Sequence, residues 1–245
     1  MVALKNVTFG YSSDSPIIYN FEWSVGEGES WCVLGPSGCG KTTLLYLLAG
    51  LRKPQAGTVC FRGKPLTGPN LDVGLMLQDY GLLPWMSAER NVQLGLKIRG
   101  VSRRERHRIR AEWLERMQIS HISKRYPSQL SGGQRQRVAL ARVLALETEV
   151  LLLDEPLSAV DEFTRERLQK KLWAIKTELQ ATMVLVTHSV EEAVLLTDNI
   201  LIFPENGSLQ KPEILRNPFA GKEMPTRDNP IFQHFCAEIR EVLGL

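Results

Sequence analysis

One glycine-rich segment that ends in lysine and threonine constrains the fold of this 245-residue chain more than any other feature: Gly35-Pro36-Ser37-Gly38-Cys39-Gly40-Lys41-Thr42. An apolar run precedes it at residues 31–34, and a helical pattern follows it at residues 43–50. The pattern G-x-x-x-x-G-K-[ST] between a strand and a helix is typical of a phosphate-binding loop. Its glycines let successive backbone N–H groups curl around a phosphate, toward which the helix points the positive end of its dipole. We therefore predict an α/β nucleotide-binding fold with a P-loop core.

The last residues of this loop carry its chemistry. The Lys41 ammonium can reach the β and γ phosphates of a nucleotide, and the Thr42 hydroxyl can ligate Mg²⁺. We include the next residue, Thr43, among those that contact the nucleotide. The alternative is a simple turn, but this pattern matches by chance in only roughly one chain of this length in a hundred.

A second apolar run, residues 150–153, ends in two carboxylates, Asp154 and Glu155. Such a run suits a buried parallel strand whose carboxyl end opens at a ligand crevice. Asp154 is predicted to hold Mg²⁺, directly or through water, and Glu155 to act as general base toward the attacking water. The alternative is a pair of acids that merely ends a strand.

Strand-like runs alternate with helical patterns along most of the chain, which predicts an α/β fold with a mostly parallel sheet. The β-branched or leucine-rich runs lie at residues 31–34, 150–153 and 183–187. Alternating patterns that predict an antiparallel β patch beside this core lie at residues 4–9, 17–25 and 58–61.

Strand patterns disappear between residues 87 and 146, where apolar residues recur at helical spacing. We therefore expect a single domain with a catalytic core, an inserted helical subdomain and a C-terminal tail. Their predicted boundaries are residues 1–86 and 147–210 for the core, 87–146 for the helical subdomain and 211–245 for the tail. Four prolines predict that the tail is mostly irregular until a helix at residues 231–243.

Composition and charge argue against several classes of protein. No stretch approaches the roughly 18 uninterrupted apolar residues that a membrane span requires. Thirty basic and 27 acidic side chains give a net charge of +3, which does not favour nucleic-acid binding. The basic run at residues 103–110 is interpreted as a solvated helix face, because Glu105 lies within it. Four cysteines without C-x-x-C spacing, and no recognisable secretion signal, predict a cytoplasmic chain with reduced thiols.

The segment Leu130-Ser131-Gly132-Gly133-Gln134 places a serine and two glycines at the start of a helical pattern. A helix terminus of this kind can bind an anion, as the phosphate loop does. Serine and glycine are also common at the start of an ordinary capped helix that binds no anion. The pattern alone therefore leaves both interpretations open.

With these motifs in this order, the sequence resembles the nucleotide-binding subunits of ATP-binding cassette (ABC) transporters from residue 11 to about residue 207. The LSGGQ segment is similar to the family signature, and three further positions are similar to the Q-loop glutamine, the D-loop aspartate and the switch histidine. These positions are Gln78, Asp161 and His188. Residues 200–209 match the family's last strand and glycine turn less closely. The resemblance implies the ABC ATPase fold and hydrolysis of ATP with Mg²⁺.

The resemblance also implies roles for individual residues. Tyr11 is expected to stack on adenine, Gln78 to touch Mg²⁺ and the lytic water, and His188 to contact the γ phosphate. Each has an ordinary alternative: a core aromatic, a surface loop residue and a strand-end histidine, respectively. Asp161 could likewise cap a helix that begins near Glu162.

Subunits of this family pack head to tail, which implies that ATP on one phosphate loop is covered by Ser131, Gly132 and Gly133 of a second copy. A lone copy is then expected to bind nucleotide and barely hydrolyse it. The implied partners are a second copy of the chain, integral membrane permease subunits and, indirectly, a solute-binding protein. We also expect a thiol reagent at Cys39 to block hydrolysis.

The stretch Leu82-Leu83-Pro84-Trp85 suits a docking groove for a partner helix, or a loop packed on its own core. It resembles the branch of ABC importers that serves nitrate, sulfonate, taurine and some pyrimidine precursors. That resemblance implies an ATPase subunit at the cytoplasmic face of the cell membrane that energises uptake of a small solute. The alternatives are a soluble ABC-type ATPase without a transport role and a small-molecule kinase, in which LSGGQ and His188 would have no role.

Overall fold

Two β-sheets and seven α-helices make up the described part of the chain, residues 1–12, 15–203 and 212–244, in this computed structural model. The strands, in chain order, are β1 (Val2–Phe9), β2 (Ile18–Val25), β3 (Ser30–Leu34), β4 (Ala56–Phe61), β5 (Lys64–Pro65), β6 (Val73–Met76), β7 (Val150–Asp154), β8 (Thr182–Val186), β9 (Asn199–Ile202) and β10 (Glu213–Arg216). The helices are α1 (Lys41–Leu48), α2 (Ala88–Ile98), α3 (Arg103–Arg116), α4 (Gly132–Leu144), α5 (Glu162–Leu179), α6 (Val190–Leu196) and α7 (Pro230–Leu243).

The larger sheet has the strand order β10-β9-β3-β8-β7-β6 and is parallel except for its β10 edge. Every residue of β3, β7 and β8 is buried, as expected for strands covered on both faces. Because these strands are parallel, their carboxyl ends meet at one edge of the sheet. This confirms the predicted mostly parallel sheet, and it brings the segments that follow β3, β7 and β8 together.

The smaller sheet has the order β2-β1-β4-β5 and is antiparallel throughout. Along most of β2, buried and exposed residues alternate. The two sheets share a core in which the Trp23 and Trp31 rings meet edge to face with centroids 5.4 Å apart. The predicted antiparallel patch is therefore present.

Between β6 and β7 the chain forms α2, α3 and α4, with short 3-10 turns at Ser120–Ile122 and Pro127–Gln129 between α3 and α4. The fully buried Trp113 and Met117 anchor α3 in the same hydrophobic core as α4 and the sheet residue Leu153. In the described ranges, none of the helices combines the length and apolar character that crossing a membrane requires.

The C-terminal tail is more regular than its prolines predict. Residues Glu213–Arg216 form β10, antiparallel to β9, so the prediction of irregular structure there is wrong. A four-residue edge strand owes its conformation to its neighbour rather than to its own composition. The predicted helix is present as α7, which begins after the capping residue Asn229 and ends at Leu243, before the C-cap residue Gly244. The turn expected within residues 204–209 lies outside the described residues.

Candidate functional site

The phosphate loop joins β3 to α1 at the carboxyl edge of the larger sheet. Gly38 and Gly40 have φ values of 82° and 102°, in a region that residues with a Cβ rarely adopt. Gly40 is the N-cap residue of α1, and no side chain caps the helix there. The N–H groups of its first turn have no partner within the helix, so they are donors for an anion held in the loop.

Lys41 is folded back into this loop. Its ammonium donates to the carbonyl oxygens of Gly35 at 2.8 Å and Pro36 at 2.7 Å. The side chain is buried, and its long stem allows the ammonium to exchange these carbonyls for phosphate oxygens. The loop thus supplies a cation and a set of backbone donors to one anion.

Thr42 connects the loop to the end of β7. Its hydroxyl donates to Asp154 Oδ2 at 2.7 Å, and Asp154 is 2% exposed. Burial raises the pKa of the Asp154 carboxyl, while the Thr42 hydrogen bond and the Lys41 charge oppose that shift. A hydroxyl and a carboxylate side by side are the oxygen ligands that Mg²⁺ prefers, so this donor pair fits that ion.

Glu155 and His188 meet beside this pair. The imidazole Nε2 lies 2.6 Å from Glu155 Oε1, with the Glu155 side chain 15% and the His188 side chain 49% exposed. Glu155 has a φ of 47°, which is uncommon for a residue other than glycine, and its N–H donates to Val186 O at 2.8 Å. Strained backbone of this kind concentrates at functional sites, where the surrounding structure enforces it.

The backbone around His188 is fixed by a buried acid. The Thr187 hydroxyl donates to Glu192 Oε2 at 2.7 Å, and the Ser189 N–H donates to the Thr187 hydroxyl at 3.1 Å. Burial raises the pKa of Glu192, and the Thr187 hydrogen bond opposes that shift. Ser189 also caps α6, so the histidine stands between two anchored residues.

Tyr11 and Gln78 lie at the periphery of the site. Tyr11 is 62% exposed, and its hydroxyl is 3.2 Å from Thr43 Oγ1 beside the start of α1. Its ring meets Phe9 edge to face, and the Arg52 guanidinium lies 5.8 Å from its centroid. This exposure argues against the alternative of a core aromatic. Gln78 occupies an exposed turn after β6, the strand beside β7.

The signature segment begins α4 with a reciprocal cap. Ser131 Oγ accepts from the Gln134 N–H at 3.3 Å, and Gln134 Oε1 accepts from the Ser131 N–H at 3.0 Å. A Cβ on Gly133 would lie 3.0 Å from Val160 Cγ1, so the helix start approaches the D-loop closely. The capped-helix interpretation is therefore correct for the free chain, and it leaves the anion-binding interpretation open.

Asp161 of the D-loop caps α5. Its carboxylate accepts from the Thr164 N–H at 3.0 Å, which lowers the pKa of Asp161. The helix-cap alternative is therefore present in the structure.

Sequence reasoning missed two polar residues of α4 that hold the loops of the site. Gln136 is fully buried; it donates to Glu155 O at 3.1 Å and accepts from the Ala159 N–H at 3.3 Å.

The Arg142 guanidinium donates to Tyr80 O at 2.7 Å and to Gly81 O at 2.6 Å, in the turn that contains Gln78. Arg142 was the available signal, as the one polar residue among the apolar residues 138–144, whereas Gln136 lies within a polar run at residues 134–137 and does not stand out.

An anion-binding loop, an oxygen donor pair and a carboxylate–imidazole pair at one sheet edge suit hydrolysis of a nucleoside triphosphate, which defines the class as a P-loop ATPase. A family model described as ABC transporter matches residues 18–158, more than half of the sequence. The chain belongs to the ABC transporter family, as its motifs predicted, and it is an ATP-binding ATPase of that family.

Similar proteins cover most of the chain. The taurine import ATP-binding protein TauB of Chromobacterium violaceum is 45% identical over 206 residues, which cover 84% of this chain and 78% of that protein. The nitrate import ATP-binding protein NrtD of Synechocystis sp. is 37% identical over 246 residues, covering 98% and 92%. A dimeric structure of the bacterial ABC transporter cassette MJ0796 gives a TM-score of 0.80 at 32% identity, covering 88% of this chain and 99% of that chain.

Proposed function

We propose that this chain is the ATP-hydrolysing subunit of a membrane importer for a small solute of the nitrate, sulfonate or taurine type, and that two copies act as a head-to-tail dimer. The carrying observation is that two helix starts able to bind an anion have different neighbours: Thr42 of α1 contacts Asp154, whereas Gly133 of α4 approaches Val160 of the D-loop. The taurine and nitrate import names of its relatives support the importer branch.

In the proposed dimer, each ATP is shared between two copies of the chain. Residues 35–43 of one copy hold the phosphates and Tyr11 stacks on the adenine. Residues 131–134 of the second copy cover the γ phosphate with a helix start, and Asp161 contributes from the D-loop. The resemblance to ABC transporter subunits implies this division, the different neighbours of α1 and α4 support it, and it predicts that a single copy hydrolyses ATP poorly.

Thr42 and Asp154, joined by Gln78 from the turn after β6, would hold Mg²⁺. When bound, this ion neutralises charge on the β and γ phosphate oxygens. The Thr42 hydroxyl and Asp154 Oδ2 are already 2.7 Å apart. Buried Lys41 contributes a second positive charge to the same phosphates.

Glu155 is the proposed general base: its carboxylate accepts a proton from the attacking water. His188 is in direct contact with this carboxylate and is proposed to orient it and to contact the γ phosphate. The unusual φ of Glu155 sets the direction of its Cα–Cβ bond, and the contact with His188 holds the carboxylate.

We propose that the Leu82-Leu83-Pro84-Trp85 stretch receives a helix of the permease. Buried Asn91 fixes the loop, accepting from the Leu83 N–H at 2.8 Å and donating to Met86 O at 3.0 Å. Trp85 is 68% exposed, so its ring is free to contact a partner. Arg142 ties the preceding turn to α4, which would transmit motion between the permease and the ATP site.

We further propose that residues 1–86 and 147–210 form the catalytic core, residues 87–146 the helical subdomain and residues 211–245 a tail. The subunit would lie peripherally at the cytoplasmic face of the membrane, with a solute-binding protein acting indirectly and no nucleic acid as partner.

Complementation between two inactive variants tests the shared site. Lys41→Ala disables one phosphate loop, and Ser131→Arg blocks one signature segment. Each variant alone should be inactive, whereas a mixture should recover part of the parent turnover, since mixed dimers contain one intact composite site. A mixture that stays inactive although mixed dimers form would contradict the head-to-tail arrangement.

Purification from native membranes distinguishes the importer from a soluble ABC-type ATPase. The importer predicts co-purification with integral membrane subunits, and Trp85→Ala should weaken that association while leaving ATP binding intact. Phosphate release without any acceptor excludes a small-molecule kinase. Recovery of the chain without membrane subunits would favour the soluble alternative.

A further inference from the structure

Gln136 is a fully buried amide one helical turn inside α4. Its Nε2 donates to Glu155 O at 3.1 Å and lies 3.5 Å from Ser158 Oγ, while its Oε1 accepts from the Ala159 N–H at 3.3 Å. A buried amide that loses such partners leaves unsatisfied polar groups behind, at considerable free-energy cost. The side chain therefore joins α4 firmly to the backbone between Glu155 and Ala159.

Glu155 has an unfavourable backbone conformation, which its surroundings must hold in place. With a φ of 47°, Glu155 lies in a sparsely populated region, and its carbonyl receives a second hydrogen bond, from Ser158 Oγ at 3.2 Å. The orientation of this peptide determines where the Glu155 carboxylate points. Gln136 thus contributes to the position that brings the carboxylate to His188.

The other end of the connection is the signature segment. Gly132 and Gln136 are four residues apart on α4, so they are neighbours on one helix face. Gly133 approaches Val160 so closely that a Cβ would come within 3.0 Å of its side chain. A shift at the start of α4 is therefore passed to Gln136 and, through it, to Glu155.

We infer that Gln136 is a positioning residue that couples the signature segment to the general base of the same chain. This inference rests on the proposed head-to-tail dimer, in which the signature covers the ATP of the second copy while Glu155 serves the ATP of its own copy. Gln136 then links the two sites: closure of the signature over one ATP aligns the base at the other.

Two substitutions separate positioning from simple packing. Gln136→Met keeps the volume without hydrogen bonds and should lower kcat by roughly tenfold or more, with little change in KM for ATP. It should also reduce the Hill coefficient for ATP toward 1. Gln136→Glu cannot donate to Glu155 O when ionised but can when protonated. Its kcat relative to the parent should rise as pH falls from about 8 to about 6, because burial favours the protonated acid.

Thr148→Val is the matched control, because it removes a buried 3.0 Å hydrogen bond to Val150 O at the other end of β7. It should lower stability while leaving kcat, the Hill coefficient and the pH profile at parent values. Parent-like kcat in Gln136→Met, or the same pH profile for the Glu and Met variants, would overturn the inference.

If both Gln136 variants fail to fold, Ser158→Ala decides, since it removes the second donor to Glu155 O and the hydroxyl that lies 3.5 Å from Gln136 Nε2. A several-fold loss of kcat at unchanged KM supports the coupling, and parent-like kcat overturns it. A parent chain that hydrolyses ATP without a dimer would instead refute the proposed function, so the two failures are distinguishable.

Discussion

The phosphate loop and the signature segment both place glycines before a helix, but for different physical reasons. Gly38 and Gly40 are required for their backbone conformation, with φ values of 82° and 102°. Gly133 lies within α4 and is required for space, because a Cβ would meet the Val160 side chain at 3.0 Å. Similar composition therefore predicts two anion-binding helix starts. It does not reveal that the phosphate loop needs glycine for positive φ values, whereas the signature segment needs it because α4 packs closely against the D-loop.

The two segments also satisfy their own polar groups differently in the free chain. Lys41 occupies the phosphate loop by bonding two of its carbonyls, whereas Ser131 and Gln134 cap each other. Binding of a phosphate exchanges internal hydrogen bonds for new ones in both cases. The phosphate loop contacts Asp154 of its own chain, whereas the signature is proposed to act on the ATP of a second copy.

The largest effect is expected at Glu155. Its carboxylate lies at the phosphate-loop site, but its carbonyl accepts a hydrogen bond from Gln136 of α4, the helix that the signature segment begins. Glu155→Gln should lower turnover by on the order of 10² to 10⁴-fold, because it removes the proposed general base and keeps the side-chain shape. ATP binding should persist and the ATP-bound dimer should accumulate, measurable by single-turnover hydrolysis and size-exclusion chromatography. Near-parent turnover would show that another group accepts the proton.

Lys41→Ala should distinguish the phosphate loop from the signature segment most clearly, through ATP binding to a single copy. Loss of the ammonium should weaken ATP binding to a single copy and lower turnover by on the order of 10² to 10³-fold. Exposed Lys53→Ala, twelve residues further along the chain, is the control and should leave both unchanged. Equilibrium titration with a fluorescent ATP analogue measures the first effect. Unaltered affinity in Lys41→Ala would mean that backbone donors alone hold the phosphates.

Ser131→Ala should have a smaller effect, confined to the dimer. Turnover should fall roughly tenfold, whereas ATP affinity of the single copy stays at the parent value. Because Ser131 is also an N-cap, the free energy of unfolding should decrease by about 1 kcal/mol. Chemical denaturation and steady-state kinetics check the two parts. A matching loss of single-copy ATP affinity would break the comparison drawn above.

The two signature glycines provide a matched pair for the requirement of space. A Cβ on Gly133 would press on Val160 at 3.0 Å, whereas one on Gly132 would make ordinary contact with Ala159 at 3.5 Å. Gly133→Ala should therefore destabilise the free chain by about 1 to 3 kcal/mol, and Gly132→Ala should be close to neutral. Thermal unfolding without nucleotide measures both. Equal stabilities would indicate that the D-loop yields easily.

The smallest expected effect is on the pH dependence of stability, to which Asp161 and Glu192 contribute. Asp161 has a lowered pKa through its Thr164 hydrogen bond, so its stabilisation is present above about pH 4 and is lost as pH falls through the folded-state pKa. Glu192 has a raised pKa through burial, so its stabilisation is present at low pH and is lost as pH rises above about 4.5.

The corresponding variants should therefore respond to pH in opposite directions. Relative to the parent, the Tm of Asp161→Ala should drop further as pH rises from about 3 to about 6, whereas the Tm of Glu192→Gln should rise over the same range and above it. Thermal unfolding in matched buffers measures the two slopes. Slopes of the same sign would show that another group dominates the titration.

Local patterns predicted most of the fold, because the phosphate loop, the buried strand before Asp154 and the α4 cap are each encoded by neighbouring residues. Gln136 and Arg142 escaped prediction because their functions depend on carbonyl groups of Glu155 and Tyr80, which are far away in sequence. A polar side chain in a helix pattern does not reveal which backbone it will meet. Strand β10 was missed for the related reason that its partner, β9, determines it.

Burial was the other property that local patterns did not reveal. Cys39 lies in the phosphate loop, but it is 6% exposed, and burial raises the pKa of its thiol despite the nearby Lys41 charge. Because the thiolate is the reactive form, the expected block by a thiol reagent should develop slowly in the free chain.

The short strand β10 has a consequence for self-association. A parallel sheet that ended at β9 would offer a row of unpaired backbone groups to any similar strand, which is a route to edge-to-edge aggregation. β10 covers that edge with only four residues, and it carries exposed Glu213 and Arg216 at its ends. Copies of this chain that collide at high concentration should therefore separate again without forming continuous sheets.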